Sequence, residues 1–128
     1  MVKKEAKFTI LFRHWLRKNP MHNSAFELKH TSKDSIPFSD VQEHQINALQ
    51  AVKSKVGFLY KAPDDSRGAK PFDLFYMREA FAWVVIKYPK CFVIINVDHF
   101  VLESKRSKRR SLTSSRARDI AWKVINSR

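Results

Sequence analysis

The chain has 128 residues, of which 44% are hydrophobic, so it is long enough for one hydrophobic core but too short for two ordinary domains. Lysine and arginine number 25 against 12 acidic residues, and the formal charge of +13 favours a polyanionic partner, with nucleic acid the leading class. Two glycines cannot build a glycine-rich phosphate loop, which excludes nucleotide-dependent motors and kinases, and one cysteine excludes an internal disulfide and any multi-cysteine zinc site.

The N-terminal residues are charged rather than apolar, and no stretch of the sequence is long and apolar enough to span a bilayer. We therefore expect a soluble, cytoplasmic protein that makes no membrane contact.

The first half of the chain predicts a helix, a strand and a second helix. Apolar residues at helical spacing predict an amphipathic helix that ends before Asn19 and Pro20: Phe8, Leu11, Phe12, Trp15 and Leu16. A strand is expected at residues 24–31, and Ser39 and Asp40 are expected to open the second helix. Its buried stripe is Val41, Gln45, Ala48, Leu49 and Val52. Because an unpaired buried amide is costly, Gln45 needs hydrogen-bond partners or faces a polar site.

The second half predicts mostly β-structure. Strands are expected at residues 58–62, 72–77, 81–88 and 91–97, and the short turns between them predict antiparallel neighbours. Asp98 is expected to cap a brief helix that runs through Glu103, followed by a basic loop at about residues 104–111. A last helix is expected to carry Ala117, Ile120, Ala121, Val124 and Ile125. This order predicts an α+β fold, with a mixed sheet flanked by helices in a single domain over residues 1–128.

The segment Phe26-Glu27-Leu28-Lys29 predicts a site for chemistry. Successive side chains of a strand point to opposite faces, so Glu27 and Lys29 share one face while Phe26 and Leu28 share the other. An acid-x-lysine pair on one strand face is how many metal-dependent nucleases hold a divalent cation and position the attacking water.

Asp73 is a second candidate acid, predicted inside an apolar strand. A carboxylate among aromatic residues is rarely left unpaired. One interpretation is a salt bridge to Lys70 or Arg78, and the other is a metal-ligand role beside Glu27. Mg²⁺ accepts one or two protein carboxylates, so Asp73 and Glu27 would suffice if they met across the sheet.

Three segments of the sequence resemble a known family: FELKHT at residues 26–31, SIPFSDV at residues 35–41 and HQINAL at residues 44–49. They are similar to the acid-x-lysine strand, loop and helix of RecU-type Holliday junction resolvases, within the PD-(D/E)xK nuclease superfamily. The resemblance is clearest from about residue 25 to residue 60. The sequence is similar also to small phage-encoded or prophage-encoded relatives, in which the segment at residues 70–73 belongs to the same pattern. It implies a restriction-endonuclease-like core, Mg²⁺-dependent phosphodiester hydrolysis with Mn²⁺ as a substitute ion, a homodimer, branched DNA as substrate, and a bacterial or phage-infected host.

The resemblance also implies roles for individual residues. Glu27 corresponds to a metal ligand, Lys29 to the lysine near the attacking water, and Gln45 to a helix glutamine beside the site. Glu5 corresponds to a first-helix acid that serves as a further metal ligand or acts beside one.

The sequence departs from the family at one acid. The family has an aspartate strand before the acid-x-lysine strand, yet the only acid before Glu27 is Glu5. Either the aspartate is absent and the enzyme is impaired, or its role has moved to a later strand, for which Asp73 is the best candidate. In a further arrangement Asp73 pairs with Lys87, and Glu27 still supplies the second carboxylate.

Two functions follow from the sequence. The first is a structure-selective DNA endonuclease that resolves four-way junctions by paired nicks, with Glu27, Lys29, Asp73 and Gln45 as the catalytic set. The alternative is a non-catalytic basic nucleic-acid-binding protein, which explains the charge but gives Glu27 and Asp73 no purpose. A structural partner protein that uses its aromatic sheet also stays open, but it explains still less of the sequence. The side chains expected to contact DNA are Lys33, Lys105, Arg106, Lys108, Arg109, Arg110 and Arg116.

Overall fold

The computed structural model describes residues 4–64 and 70–126. The helices are α1 (Lys4–Lys18), α2 (Glu43–Lys53), α3 (Val97–Arg106) and α4 (Ser114–Ile120). The strands are β1 (Ser24–His30), β2 (Ser35–Pro37), β3 (Phe58–Lys61), β4 (Leu74–Met77), β5 (Phe81–Tyr88), β6 (Cys91–Asn96), β7 (Ser111–Thr113) and β8 (Lys123–Asn126). The predicted α+β class, a mixed sheet flanked by helices, is confirmed. None of these described helices has the length and apolar character that crossing a bilayer requires.

The main sheet has four strands in the order β1-β5-β6-β8. β1 runs parallel to β5, whereas β5, β6 and β8 pair antiparallel. A parallel pair needs a long crossover connection, and α2 lies within the segment that connects β1 to β5. β2 pairs with β7, and β3 pairs with β4, as two separate two-stranded antiparallel sheets.

The main sheet is covered on both faces. Trp83 and Val85 of β5 pack with Phe8 and Phe12 of α1 on one face. The alternate residues of β5, including Val84, pack on the other face in a core that contains side chains of α2, α3 and α4. Because both faces are buried, β5 and β6 read as nearly continuous apolar runs rather than as alternating patterns.

Two predicted boundaries were wrong. α2 begins at Glu43, because Ser39 and Asp40 lie in a 3-10 turn, Phe38–Asp40, that precedes it. The last helix ends at Ile120, and Val124 and Ile125 belong to β8, where they pack on opposite faces of the sheet. Apolar residues near the end of a chain fit a strand as well as a helix, and here the pairing with β6 decides the structure.

The basic loop predicted at about residues 104–111 is shorter than expected. Lys105 and Arg106 form the last turn of α3, where cations interact favourably with the negative end of the helix dipole. Residues 107–110 connect α3 to β7, which the sequence did not predict and which separates α3 from α4. The prediction of antiparallel neighbours holds for β3 with β4 and for β5 with β6, but β4 does not pair with β5.

Candidate functional site

Strand β1 places Glu27 and Lys29 on the α2 side of the sheet. Their partners across the parallel ladder are Val84 and Ile86, which are buried in the core on that side. Phe26 points to the opposite face, where its ring meets that of Phe12 at 5.0 Å. The predicted division of β1 into an apolar face and a charged face is therefore confirmed.

Glu27 and Lys29 lie close enough to form a weak ion pair. Lys29 Nζ is 3.9 Å from Glu27 Oε2, and the two side chains are 16% and 25% exposed respectively. Partial burial lowers the screening of their charges by water, so each influences the other more than a surface pair would. Both remain accessible to a ligand.

Gln45 joins this pair from α2. Its Nε2 donates a hydrogen bond to Glu27 Oε2 at 3.2 Å, and its Oε1 accepts one from the backbone N–H of Gln42 at 3.0 Å. The second bond satisfies a free N–H at the start of the helix and fixes the orientation of the amide. The prediction that Gln45 needs partners and faces a polar site is confirmed, and we call Glu27, Lys29 and Gln45 the β1–α2 cluster.

Packing explains why α2 lies over β1. Leu49 and Val52 are the buried residues of α2, and Val41, just before it, is buried in the same core. With this apolar stripe against the sheet, Gln45 is only partly buried and reaches Glu27. The helix is thus held by its apolar face, and its polar member is directed to the site.

Two hollows flank the β1–α2 cluster. The larger, about 550 Å³, extends from Glu27 and Gln45 to Tyr60 and Phe75 of the β3–β4 pair, and His44 also lines it. We call it the aromatic groove. The smaller, about 370 Å³, is lined by Lys29, His30, Ser39, Asp40 and Gln42. His44 and Asp40 thus border the cluster, and their nearness to it was not predicted; the only signal was their position at the start of the α2 segment.

Asp73 does not lie inside a strand, contrary to the prediction. β4 begins one residue later, at Leu74, and pairs only with β3, so the segment is not part of the sheet that contains β1. The Asp73 side chain is 81% exposed, and Lys70 Nζ lies 3.1 Å from its Oδ1 and 3.2 Å from Asp64 Oδ1. This is the ion pair with Lys70 that the sequence left open, and it is the interpretation that the geometry favours over a metal-ligand role beside Glu27.

The proposed strand pair of Asp73 with Lys87 was also wrong. Lys87 lies in β5, which pairs with β1 and β6, and its Nζ donates to the backbone carbonyls of Tyr88 and Pro89. The other predicted acid, Glu5, belongs to α1, but its side chain lies outside the described residues.

Residues 4–64 and 70–126 do not form a metal site with three or more protein ligands. These residues contain no group of three or more histidine, cysteine, aspartate or glutamate side chains that are placed to hold an ion. Glu27 is the carboxylate of the β1–α2 cluster, and Gln45 supplies a neutral amide. Such a set suits an ion that keeps most of its waters rather than one enclosed by protein ligands.

All seven basic side chains predicted to bind DNA are exposed. They are Lys33, Lys105, Arg106, Lys108, Arg109, Arg110 and Arg116. The backbone carbonyl of Arg110 accepts a hydrogen bond from the N–H of Phe38 at 2.9 Å, two residues before Asp40. We call residues 105–110 the basic segment. Its last residue, Arg110, therefore lies beside the Phe38–Asp40 turn, which lines the smaller hollow together with Lys29.

Arg116 is engaged in a contact between α3 and α4. Its Nε and Nη2 donate to the two carboxylate oxygens of Glu103 at 2.9 and 3.0 Å, and its Nη1 lies 3.8 Å from Asp119 Oδ2. The hydrogen bonds from Arg116 lower the pKa of Glu103, which is buried. The contact of Arg116 with DNA stays a prediction, and such a contact would compete with the bidentate pair to Glu103.

Comparisons with known proteins do not assign the chain to a family. No protein-family model matches the chain, and no curated protein or solved structure resembles it significantly. Function is therefore inferred from the geometry and charge of the chain itself.

Proposed function

We propose that this protein is a metal-dependent DNA endonuclease that cuts branched DNA, with the β1–α2 cluster as its active site. The observation that carries the proposal is the hydrogen bond from Gln45 to Glu27, 18 residues apart, beside Lys29 on the same strand face. A carboxylate, a cation and an oriented amide at the edge of an open groove are suited to phosphodiester hydrolysis.

The donor set is compatible with Mg²⁺, or with Mn²⁺ in its place. Glu27 would hold the ion through one carboxylate, and the remaining ligands would be waters and phosphate oxygens, as is common for Mg²⁺. When bound, the ion polarises a phosphate oxygen and lowers the pKa of a coordinated water.

The other side chains have roles that follow from their contacts. Gln45 holds one oxygen of Glu27 and so fixes the direction of the carboxylate. Lys29 offers a positive charge 3.9 Å from Glu27 Oε2, where it orients a water or balances charge that develops on the phosphate. The excess of 13 positive charges on the chain attracts the DNA backbone.

A homodimer is part of the proposal because a four-way junction presents two symmetry-related strands. Paired nicks require two active sites related by a two-fold axis, and a closed dimer of this chain supplies them. Phe81, at the start of β5, is exposed and offers an apolar contact for a partner copy, whereas Trp83, two residues on, is buried.

A second candidate is a non-catalytic nucleic-acid-binding protein. It is favoured by the finding that the described residues hold no group of three metal-ligating side chains. In that case the β1–α2 cluster would be a polar contact that fixes α2 on the sheet.

A labelled four-way junction separates the two candidates. The nuclease proposal predicts junction binding without metal and paired, symmetric nicks once Mg²⁺ or Mn²⁺ is added. Tight junction binding with no nicks in either ion would favour the non-catalytic protein. Light scattering of the free and junction-bound protein tests the dimer, and a monomer in both states would contradict it.

A further inference from the structure

Exposed apolar side chains are concentrated around the β3–β4 hairpin. Among the described residues, seven of the twelve large hydrophobic side chains that are exposed lie between residues 56 and 76. They are Val56, Leu59, Tyr60, Phe72, Leu74, Phe75 and Tyr76. Exposed apolar patches often mark binding sites, and the strand residues among these side chains are divided between the two faces of the hairpin.

One face of the hairpin opens into the aromatic groove. Tyr60 lies opposite Phe75 in the ladder, and Phe58 lies opposite Met77; all four side chains line the groove that reaches Glu27. The rings of Phe58 and Tyr60 are nearly parallel, with centroids 6.3 Å apart. Tyr60 and Phe75 are still 49% and 42% exposed, so their rings are accessible for stacking.

The other face of the hairpin is apolar too but is directed away from the groove. Leu59 lies opposite Tyr76, and Lys61 lies opposite Leu74, at the alternate positions of the two strands. Leu59 and Leu74 are 61% and 58% exposed. This face provides a matched surface that lacks access to the β1–α2 cluster.

We propose that the aromatic groove holds an unpaired nucleobase of the DNA substrate beside Glu27. Aromatic side chains next to a basic surface are how proteins bind single-stranded nucleic acid, since every base has a face that stacks on a ring. The volume of about 550 Å³ lies within the range of roughly 300–1000 Å³ typical of small-ligand pockets. This inference rests on the proposed function and specifies its substrate: strands with unpaired bases at the cleavage position.

Charge favours nucleic acid over a second copy of this chain as the occupant of the groove. The exposed cations on or beside the hairpin are offset by exposed acids, so the preference for nucleic acid depends on the formal charge of +13 of the whole chain. The cations are Lys55, Lys61 and Arg78, and the acids are Asp64, Asp73 and Glu79. A phosphate backbone is attracted to a chain of this charge, whereas a second copy gains no charge complementarity at the groove.

The test measures binding in the absence of divalent metal, so that it does not depend on cleavage. The probes are a junction with one unpaired thymine at its branch point and a fully paired duplex of equal length. The test variant is Tyr60→Ala with Phe75→Ala, and the matched control is Leu59→Ala with Leu74→Ala on the other face. Circular dichroism verifies that both variants are folded.

We expect the test variant to lose affinity for the unpaired-base probe by roughly 5- to 150-fold, the equivalent of about 1–3 kcal/mol for one stacked base. Its affinity for the duplex, and the affinity of the control variant for both probes, should change by less than about twofold. A fluorescent base analogue at the unpaired position should be quenched by the wild-type protein but not by the test variant.

Equal losses for duplex and unpaired probe, or equal losses in the control, would overturn the proposal. So would a change of oligomeric state confined to the Tyr60 and Phe75 variant, since the groove would then be a self-association surface. The proposed nuclease function fails separately, if the wild-type protein binds the unpaired-base probe in this way but never nicks it after Mg²⁺ is added.

Discussion

The main sheet and the β3–β4 hairpin have similar apolar sequences but opposite environments. Val84, Val85 and Ile94 in the sheet have no exposed surface, because helices cover both faces. Leu74 in the hairpin is more than half exposed, because β3 and β4 pair only with each other. Apolar residues in the first region stabilise the fold, whereas in the second they are available to a ligand, so apolar composition alone does not identify a core.

The two regions are expected to differ most in how much their apolar side chains contribute to the free energy of unfolding. Ile94→Ala removes fully buried methylene and methyl groups and leaves a cavity, so the free energy of unfolding should fall by about 2–5 kcal/mol. Leu74→Ala, in the hairpin, should change it by less than about 0.5 kcal/mol. Urea denaturation of both variants measures this, and a comparable loss in Leu74→Ala would mean that the hairpin is part of the core.

The basic segment should act on phosphates independently of the hairpin. Replacing Arg106, Arg109 and Arg110 by Ala should reduce the slope of log affinity against log salt by about 0.9 for each phosphate contact that is lost. The Tyr60 and Phe75 variant should keep the wild-type slope, since stacking releases no counterions. Fluorescence anisotropy over a salt series measures both, and an unchanged slope in the arginine variant would rule out the segment as a phosphate contact.

The Glu103–Arg116 ion pair between α3 and α4 makes the free energy of unfolding depend on pH. The hydrogen bond from Arg116 lowers the pKa of Glu103 from its ordinary value of 4.5 in the folded protein. The ionised Glu103 therefore contributes its full share of the unfolding free energy above pH 4.5, and this share is lost as the pH falls through the lowered pKa. The difference in unfolding free energy between wild type and Glu103→Gln should therefore shrink on acidification. Urea denaturation from about pH 7 to pH 3 tests this, and a constant difference would contradict it.

The smallest expected effect concerns Asp73. Its exposed carboxylate pairs with Lys70 outside the sheet that contains Glu27, so we expect Asp73→Asn to change nicking by less than about twofold. Asp64→Asn, which removes the other carboxylate beside Lys70, is the matched control. A selective loss of Mg²⁺-dependent nicking in folded Asp73→Asn would restore Asp73 as the metal ligand predicted from the sequence.

The local parts of the site could be predicted from the sequence. Strand alternation assigned Glu27 and Lys29 to one face, and the apolar stripe of α2 identified Gln45 as the residue that needed a partner. Both inferences use periodicity over a few residues, which tertiary structure did not override in these two elements.

The partners of the strands could not be predicted. Residues 72–77 have the composition of a sheet strand, yet β4 joins only β3, and Asp73 falls outside it. Val124 likewise fits a helix, but it pairs with β6 in β8. Strand pairing is decided by contacts distant in sequence, and the expectation that Asp73 meets Glu27 across one sheet depended on such contacts.

The central claim is that Glu27 serves chemistry rather than DNA binding. Glu27→Gln removes the charge that would hold the metal and keeps the size of the side chain, and Glu43→Gln removes an exposed charge from the first turn of α2 as a control. With a labelled four-way junction, we predict that Glu27→Gln loses Mg²⁺-dependent paired nicks while its junction affinity stays within a few-fold of wild type, because removing a carboxylate does not weaken phosphate attraction. Wild-type nicking by a folded Glu27→Gln variant, or a loss of affinity that matches the loss of nicking, would contradict the account.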